Sequence, residues 1–458
     1  LYPNGYGGDS SFFQVIGESV LAGKTPYTEL FDHKGPVLFY LEAFAQLLIP
    51  GKMGIFLIQT ANLFLTLILL LHTTRFFTRS AFHIILSLFS FLLLFVLTTH
   101  NGNQTEEYSV LHSMVGVYLA VRFYFVDNRQ ISWWKVVILG LCFSLSFWMR
   151  ANNAGMVSAC FAFIFLVLLI DQKWKQLAKT TFAFLGTVLA FSLFLVVYFH
   201  YVDALEEMLH ATFLFNLKYM GGGQVRFSFN VASLFISVLV AILFSLIGGS
   251  CLLYKKKGDK NILLFAFLLF LFGVLPMCSI RMFDHYLTVP IPAFSVGLIF
   301  FFASGADSKC FRRGMLVLLA IMICLMYPKM KVQRWSQTIT DDYEQIAMEI
   351  KSKIPATEYD QVYAYDLVPA FYIITDIKPY HKYFLAQEFH GIISKTLFLE
   401  IDSMFVSNPP KWVITEVDAD TTTFLSPIIT SRIKSGYVEY FRTSKAEFDL
   451  FLYKRKEK

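Results

Sequence analysis

The chain is 458 residues long; 56% of its residues are hydrophobic, and fifty are phenylalanine. Its mean hydropathy is +0.56. This apolar content exceeds what the core of a soluble protein requires, so the composition predicts an integral membrane protein. The formal net charge of +6 does not indicate nucleic-acid binding, because the basic residues form short clusters between apolar runs, as in the cytoplasmic loops of membrane proteins.

Apolar runs that are long enough, or nearly so, to cross a hydrocarbon core of about 30 Å recur along the chain. They lie near residues 53–72, 82–98, 109–126, 134–149, 152–170, 180–200, 228–253, 262–278, 286–303 and 314–328. The pattern predicts an α-helical polytopic membrane protein with about ten spans. A shorter run, Val37 to Ile49, is flanked by glycine and proline on both sides and predicts a helix lying at the membrane interface.

Lysine and arginine concentrate in alternate loops, which predicts the orientation of the chain. The basic loops, near residues 75–79, 129–135, 173–179, 255–260 and 309–313, should be cytoplasmic. The other loops and the tail should face outward from the cell inner (plasma) membrane. Because about ten spans put both ends outside, we expect one more helix before Leu1 in the full-length protein.

The tail changes character after the last predicted span. Residues 336–458 are charged and combine a helical stretch, Asp341 to Ile354, with short β-rich segments. These segments are Gln361 to Tyr365, Trp412 to Glu416, Tyr437 to Arg442 and Phe448 to Tyr453. We predict a membrane domain over residues 1–330, with its first outer loop at 1–52, and a small extracytoplasmic α/β domain over 336–458.

Carboxylates in two outward loops are candidates for chemistry, because ionisable groups beside the bilayer are costly and mark function. Asp9 follows two glycines and precedes an amphipathic stretch, so it is either a general base or a helix-start residue. Ser11 and Gln14 have the spacing of a capping box. Glu106 and Glu107 could bind a divalent cation or position a hydroxyl, or else stabilise the start of the helix near Tyr108.

Basic and polar residues at other outward helix ends form a third candidate group. Arg150 is followed by Asn152 and Asn153, and Arg281 is followed by Asp284, His285 and Tyr286. Their cations could hold a lipid phosphate, or they could simply extend to the interface. The residues alone leave both interpretations open.

The order of these motifs resembles a known family. Asp9 to Phe13, Gly23 to Tyr27 and Phe31 to Pro36 resemble the first outer loop of bacterial membrane glycosyltransferases related to protein O-mannosyltransferases and aminoarabinose transferases. Asn101 to Tyr108 resembles the second acidic outer loop of that group. Arg150 to Asn153 and His285-Tyr286 lie where its members carry polar motifs, so the resemblance covers roughly residues 1–330.

The resemblance implies the C-type glycosyltransferase fold and a sugar donor on polyprenyl phosphate, with a glycan, lipid or protein acceptor. In this interpretation Asp9 accepts the proton of the acceptor hydroxyl in an inverting transfer. Lys34, and after it Arg150 and Arg281, would bind the leaving phosphate. Glu106 and Glu107 would orient the acceptor or bind a divalent cation, which is the one cofactor left open. The residues lining the site would be Asp32, His33, Asn152, His285 and Tyr286.

Two other functions remain open. A flippase or exporter of lipid-linked glycans would share the helices and the basic outward residues, but it would not need an outer domain or an acid in the first loop. A polysaccharide ligase or polymerase would carry a larger outer loop between late spans with paired arginines. Asp9 is followed by Ser10 rather than by a second acid, which argues against a protein as the acceptor.

Overall fold

The structure is a computed structural model. It describes residues 8–99, 102–221, 229–256, 258–274, 284–305, 313–314, 317, 320, 323–324, 341–418, 426–446 and 448–457. These residues fall into two compact units. The helical unit comprises residues 56–198 and 223–330, and the loop–tail unit comprises residues 1–55, 199–222 and 331–458.

The first eight helices are α1 (Gly8–Leu21), α2 (Pro36–Leu48), α3 (Lys52–Arg75), α4 (Ala81–Thr98), α5 (Thr105–Phe125), α6 (Trp133–Met149), α7 (Gly155–Ile170) and α8 (Trp174–Tyr201). Next come α9 (Leu205–Leu209), a π-helical segment (His210–Phe215), α10 (Asn216–Gly221), α11 (Phe229–Lys255), α12 (Lys260–Val274) and α13 (Ile291–Ser304). In the tail, α14 spans residues 341–352, followed by β1 (Val362–Tyr365), α15 (Ala370–Thr375), α16 (Gln387–Ile393), α17 (Thr396–Ser407), β2 (Trp412–Thr415), α18 (Pro427–Gly436), β3 (Tyr437–Lys445) and β4 (Phe448–Arg455).

The apolar runs of the sequence become helices. Every predicted span up to residue 303 coincides with one of α3 to α8 or α11 to α13, and the run at 314–328 lies largely outside the described residues. Within the described part of the chain, five helices are long and apolar enough to cross a membrane. They are Lys52–Arg75, Ala81–Thr98, Ala151–Ile170, Trp174–Tyr201 and His285–Ser304. The total of about ten spans therefore stays a prediction.

Small residues set the closest helix packing in the helical unit. A Cβ added at Gly248 of α11 would lie 1.9 Å from the carbonyl oxygen of Gly297 on α13, and one added at Gly297 would lie 2.4 Å from the oxygen of Phe244. Only glycine allows two helix backbones to approach this closely. The α11–α13 pair is thus fixed by two residues that carry no side chain.

Three separate stretches of chain form the loop–tail unit. Helices α1 and α2 of the first loop pack together where Gly17 faces Glu42. The first loop also binds the tail: the Phe31 amide donates a hydrogen bond to the Lys382 carbonyl at 2.9 Å, and the ring centroids of Phe12 and Phe384 are 5.5 Å apart. The compact units thus do not follow chain order, and the predicted division at residue 330 remains a prediction.

The tail is α/β, as its sequence pattern predicts. Its four-stranded sheet has the order β1-β2-β4-β3, with β1 and β2 parallel and the other neighbours antiparallel. All four residues of β1 and of β2 are buried. The predicted strands differ from the observed ones only by a few residues at their ends, because alternating, β-branched and aromatic segments specify strands locally.

One expectation about α1 is wrong. Because the helix already includes Gly8, Ser11 and Gln14 lie inside it and do not form a capping box. Both side chains are buried, and the Gln14 amide donates a hydrogen bond to the Glu18 carboxylate at 2.8 Å. Asp9 lies in the first turn of α1 and is exposed. A carboxylate in the first turn interacts favourably with the helix dipole.

The carboxyl ends of the parallel strands carry acids, and this makes the stability of the tail dependent on pH. Burial, with help from the Glu388 carboxylate, raises the pKa of Asp366 to about 6. The folded protein then binds this proton more tightly than the unfolded chain does, so the free energy of unfolding falls as pH rises from about 4 to 6 and stays low above that.

We therefore expect Asp366→Asn to raise the free energy of unfolding at pH 7.5 by roughly 2 kcal/mol and to have little effect at pH 4. Asparagine keeps the oxygen that accepts the Glu388 amide at 3.2 Å and tolerates the φ of 53° at this position. Thermal unfolding of the detergent-solubilised protein measures the difference. Asp376→Asn is the control, because Asp376 has a φ of 54° but an exposed carboxylate. Equal effects of the two substitutions would contradict the assignment.

Candidate active site

The predicted site residues fall into two groups, one in each unit. Asp9, Asp32, His33 and Lys34 belong to the loop–tail unit. The second group, Glu106, Glu107, Arg150, Asn152, His285 and Tyr286, belongs to the helical unit. Arg281 lies outside the described residues.

The turn before α2 places a carboxylate in the interior. Asp32 is 0% exposed, and its Oδ1 accepts a hydrogen bond from the His33 amide at 2.7 Å. The Lys34 Nζ lies 3.9 Å from the same oxygen. Burial alone would raise the pKa of Asp32, but the charge of Lys34 and a hydrogen bond from His33 outweigh it and lower the pKa to about 2. Asp32 is therefore an anion, and its charge is neutralised by Lys34.

His33 is oriented from several sides. Its Nε2 lies 3.3 Å from the Lys34 Nζ, an ammonium that can only donate, so the ring proton is assigned to Nδ1. That Nδ1 lies 3.2 Å from Asp32 Oδ1. The ring stacks against Phe215 and Tyr219, with centroid distances of 5.7 and 5.6 Å.

Partners of this turn lie far away in sequence. The Asn216 side chain donates to the His33 carbonyl at 2.8 Å, and the ring of His390 in α16 lies 5.9 Å from that of His33. Burial lowers the pKa of His390 to about 3, so this imidazole is neutral. Sequence reasoning missed Phe215, Tyr219 and His390, and no local pattern could have found them.

Lys34 connects this turn to α1. Its Nζ lies 5.4 Å from the ring centroid of Phe13, within the range of a cation–π contact. The Tyr27 hydroxyl donates to the Lys34 carbonyl at 2.9 Å. Phe13 follows Asp9 by four residues, so the two share one face of α1. The exposed carboxylate of Asp9 and the aromatic ring that Lys34 contacts thus share one face of α1.

Asp32, His33 and His390 could offer one ligand atom each to a metal ion, since these atoms lie within 4.8 Å of one another. One carboxylate and two imidazoles are a zinc-like donor set, and the buried Asp32 Oδ2 accepts no hydrogen bond. The Lys34 ammonium opposes a second cation here, however, and already lies against His33 Nε2. The fit to a metal is therefore partial. Glu106 and Glu107 are not part of such a group among the described residues.

The group in the helical unit is an ion pair at the start of α5. Glu106 is 1% exposed and binds the Arg150 guanidinium, and the Thr105 hydroxyl donates to its second oxygen at 2.8 Å. The Arg150 guanidinium lies 4.0 Å from the ring centroid of Tyr286. Arg150 is therefore enclosed between a carboxylate and an aromatic face.

Glu107 is also buried and has helical partners. It is 6% exposed, accepts a hydrogen bond from the Gln59 amide at 2.7 Å, and its carbonyl accepts one from Asn62 at 2.9 Å. These contacts join α5 to α3. His285 is buried against Tyr286 with a centroid distance of 4.8 Å, whereas Asn152 is exposed.

No protein-family model matches the sequence, and no curated protein matches it either. Solved structures do match. ArnT from Cupriavidus metallidurans bound to undecaprenyl phosphate is similar with a TM-score of 0.60 and 11% identity, over 98% of this chain and 94% of that chain. Its apo state gives the same TM-score and identity over 98% and 93%. The oligosaccharyltransferase AglB from Archaeoglobus fulgidus, in complex with an inhibitory peptide and a dolichol-phosphate, gives 0.47 and 12% over 98% and 71%.

This chain has the fold of ArnT. The sequence motifs predict a C-type glycosyltransferase fold, and the structural similarity to ArnT confirms this prediction for the fold. At 11% identity the match establishes architecture, and the lipid in the ArnT structure is a property of ArnT. The chemistry of this chain has to be argued from its own residues.

The ion pair in the helical unit gives a stability prediction. Glu106→Ala should lower the free energy of unfolding by about 3–5 kcal/mol, because it leaves the Arg150 charge buried without its carboxylate. Adding Arg150→Met should recover most of this loss, since both charges are then absent. Thermal unfolding of the two variants in detergent provides the comparison. A double variant no more stable than Glu106→Ala would show that the pair does not act as a unit.

Proposed function

We propose that this chain is a glycosyltransferase that moves a sugar from a polyprenyl-phosphate donor to a hydroxyl acceptor on the outer face of the cell inner membrane. The observation that carries the proposal is the ArnT fold over 98% of the chain, in which a polyprenyl phosphate is bound in ArnT itself. An exposed carboxylate at the start of α1 and an ammonium in contact with Phe13 of the same helix support it.

Asp9 is our candidate for the general base. Of the three candidate carboxylates, Glu106 and Glu107 are buried and hydrogen bonded, whereas Asp9 is exposed at the start of α1. A base must reach an incoming hydroxyl, so exposure favours Asp9. We propose that Glu106 acts as a positioning residue that holds Arg150, and that Glu107 holds α5 to α3.

Lys34 is our candidate for binding the leaving phosphate. Its contact with the Phe13 ring, on the helix that begins near Asp9, supports this role. In the transfer the acceptor oxygen attacks the anomeric carbon while Asp9 takes its proton. The bond from that carbon to the phosphate oxygen breaks, and polyprenyl phosphate leaves with an added negative charge that an ammonium stabilises. Attack opposite the leaving group inverts the anomeric centre.

The other predicted residues take supporting roles in this proposal. Arg150 is the second candidate for the phosphate; like Lys34, it is already paired with a carboxylate, that of Glu106, and it also contacts Tyr286. Asp32 and His33 hold Lys34 in place. His285 packs against Tyr286, and Asn152 is exposed beside Arg150. A divalent cation is not required by any step.

The Asp9 assignment can be tested by removing its basicity alone. Asp9→Asn should lower turnover about 10²- to 10⁴-fold, because asparagine keeps the shape and the helix start but cannot accept a proton. The assay is release of polyprenyl phosphate by the purified full-length protein from polyprenyl-phosphate sugars. Glu18→Gln, a charge-neutralising change on the same helix, should retain near-parental turnover. Unchanged turnover in Asp9→Asn would refute the assignment, and transport of donor without turnover would support a flippase instead.

A test of Lys34 must respect its buried partner. The Lys34 side chain is only 12% exposed. Lys34→Met alone would therefore leave the buried Asp32 carboxylate without its counter-charge and destabilise the fold. We therefore expect Asp32→Asn/Lys34→Met to fold and to raise the donor KM at least about tenfold, as loss of a charge-assisted phosphate contact predicts. Asp32→Asn alone is the control that keeps the ammonium; because it leaves the mostly buried Lys34 without its carboxylate, thermal unfolding of both variants is measured alongside. Equal donor KM values in the two variants would place the phosphate elsewhere.

A further inference from the structure

A cavity of about 400 Å³ lies within the loop–tail unit and is not used by the transfer just described. Four aromatic residues, Tyr27, Phe31, Phe215 and Tyr383, form much of its lining. The volume falls within the range of about 300–1,000 Å³ for small-molecule sites, which combine aromatic walls with a few polar groups. This cavity therefore has the size and apolar surface of a ligand site.

The charged lining of the cavity is predominantly acidic. Glu206 and Glu207 of α9 are exposed at its wall, and Glu400 of α17 lies opposite on the tail side of the lining. Glu400 accepts a hydrogen bond from the Tyr383 hydroxyl at 3.1 Å and pairs with Lys382. Because Lys382 already compensates Glu400, the carboxylates of Glu206 and Glu207 dominate the charge that a ligand meets.

Glu400 also lines a second cavity, of about 340 Å³. Tyr380, His381, Ser407 and Asn408 contribute an aromatic ring and uncharged polar groups to it. Burial, together with the neighbouring Lys382, lowers the pKa of His381 to about 4, so its imidazole is neutral at pH 7. The linings of the two cavities share Glu400, and each combines aromatic and polar groups.

We propose that the two cavities together bind a neutral glycan chain, which is the acceptor of the transfer. This inference rests on the proposed function and names its acceptor class. Ionised carboxylates accept hydrogen bonds from sugar hydroxyls, aromatic side chains pack against the apolar faces of sugar rings, and two cavities that share a lining residue suit more than one ring. Glu206 and Glu207 repel a glycan that carries carboxylates or phosphates.

The lining also disfavours a peptide acceptor. Extended peptides are recognised at the edge of a β-sheet, and helical ones place apolar anchors in a hydrophobic groove. Neither cavity is lined by a strand residue: the lining comes from loops, from α9 and the π-helical segment, and from the region around α17. Carboxylates and hydroxyls interrupt its aromatic surface throughout.

Binding to the full-length protein in detergent, without donor lipid, tests the site. The probes are neutral trisaccharides of glucose, mannose and galactose, trigalacturonate as an anionic trisaccharide, and a serine-rich peptide of matched length. We expect at least one neutral trisaccharide to bind by isothermal titration calorimetry. Trigalacturonate should bind at least about tenfold more weakly because of Glu206 and Glu207.

Two double variants of Glu206 and Glu207 separate the contribution of hydrogen bonding to sugar affinity from that of charge. Glu206→Ala/Glu207→Ala should weaken neutral trisaccharide binding about tenfold or more, as loss of charge-assisted hydrogen bonds predicts. Glu206→Gln/Glu207→Gln keeps acceptor oxygens, so it should lose less affinity for the neutral sugar and should reduce the discrimination against trigalacturonate. Glu439→Ala is the matched control, an exposed carboxylate on β3 away from both cavities.

Three outcomes would overturn the glycan site: absence of binding by every neutral trisaccharide, parental affinity in the double alanine variant, or tighter binding of the peptide than of the sugars. Hydrolysis of the donor, in which water takes the sugar and polyprenyl phosphate is released, is measured separately and reports on the proposed transfer. Intact glycan binding without that release would overturn the transferase proposal and leave the glycan site standing. Intact release with glycan binding insensitive to Glu206 and Glu207 would overturn the acceptor site alone.

Discussion

Burial of the Asp32 carboxylate constrains everything around the first loop. A buried anion is tolerated only when cations and hydrogen bonds compensate it, and here Lys34 and His33 do so. The compensating side chains must in turn be shielded, which the rings of Phe215 and Tyr219 achieve by stacking on His33. The contacts around one buried charge therefore involve three distant stretches of sequence, and they hold Lys34 against α1.

The three candidate catalytic carboxylates differ in environment: Glu106 and Glu107 are buried, whereas Asp9 is exposed. Glu106 binds Thr105 of its own helix and Arg150, and Glu107 binds Gln59 of α3, so both contribute rigidity to the helical unit. Asp9 is exposed at a helix start. In the proposed transfer, such a position offers a solvent-reachable base beside the membrane without placing a carboxylate in a span.

The sequence predicted elements well and long-range contacts poorly, for physical reasons. Helices α3 to α8 and strands β1 to β4 follow from hydropathy and alternation, which act over a few residues. The approach of Asn216 and His390 to His33 depends on packing across 183 residues and more, and no local property encodes it. The assignment of Ser11 and Gln14 to a cap failed because α1 already includes Gly8, Asp9 and Ser10, which the local spacing did not indicate. The burial of Lys34 was not predicted either, because it depends on the buried Asp32 carboxylate, which requires a counter-charge.

The two proposed ligand regions share side chains, and this sharing has a chemical consequence. Phe215 stacks on His33 on one side and lines the 400 Å³ cavity on the other, while Phe31 contacts both Tyr383 and His390. A sugar ring resting on these aromatic residues would press against the same framework that orients Lys34. The acidic cavity attracts hydroxyls, and Lys34 provides positive charge for a phosphate, so the unit carries opposite charge preferences for acceptor and leaving group. That arrangement disfavours an anionic acceptor at the cavity and places the negative charge that develops during transfer next to the ammonium.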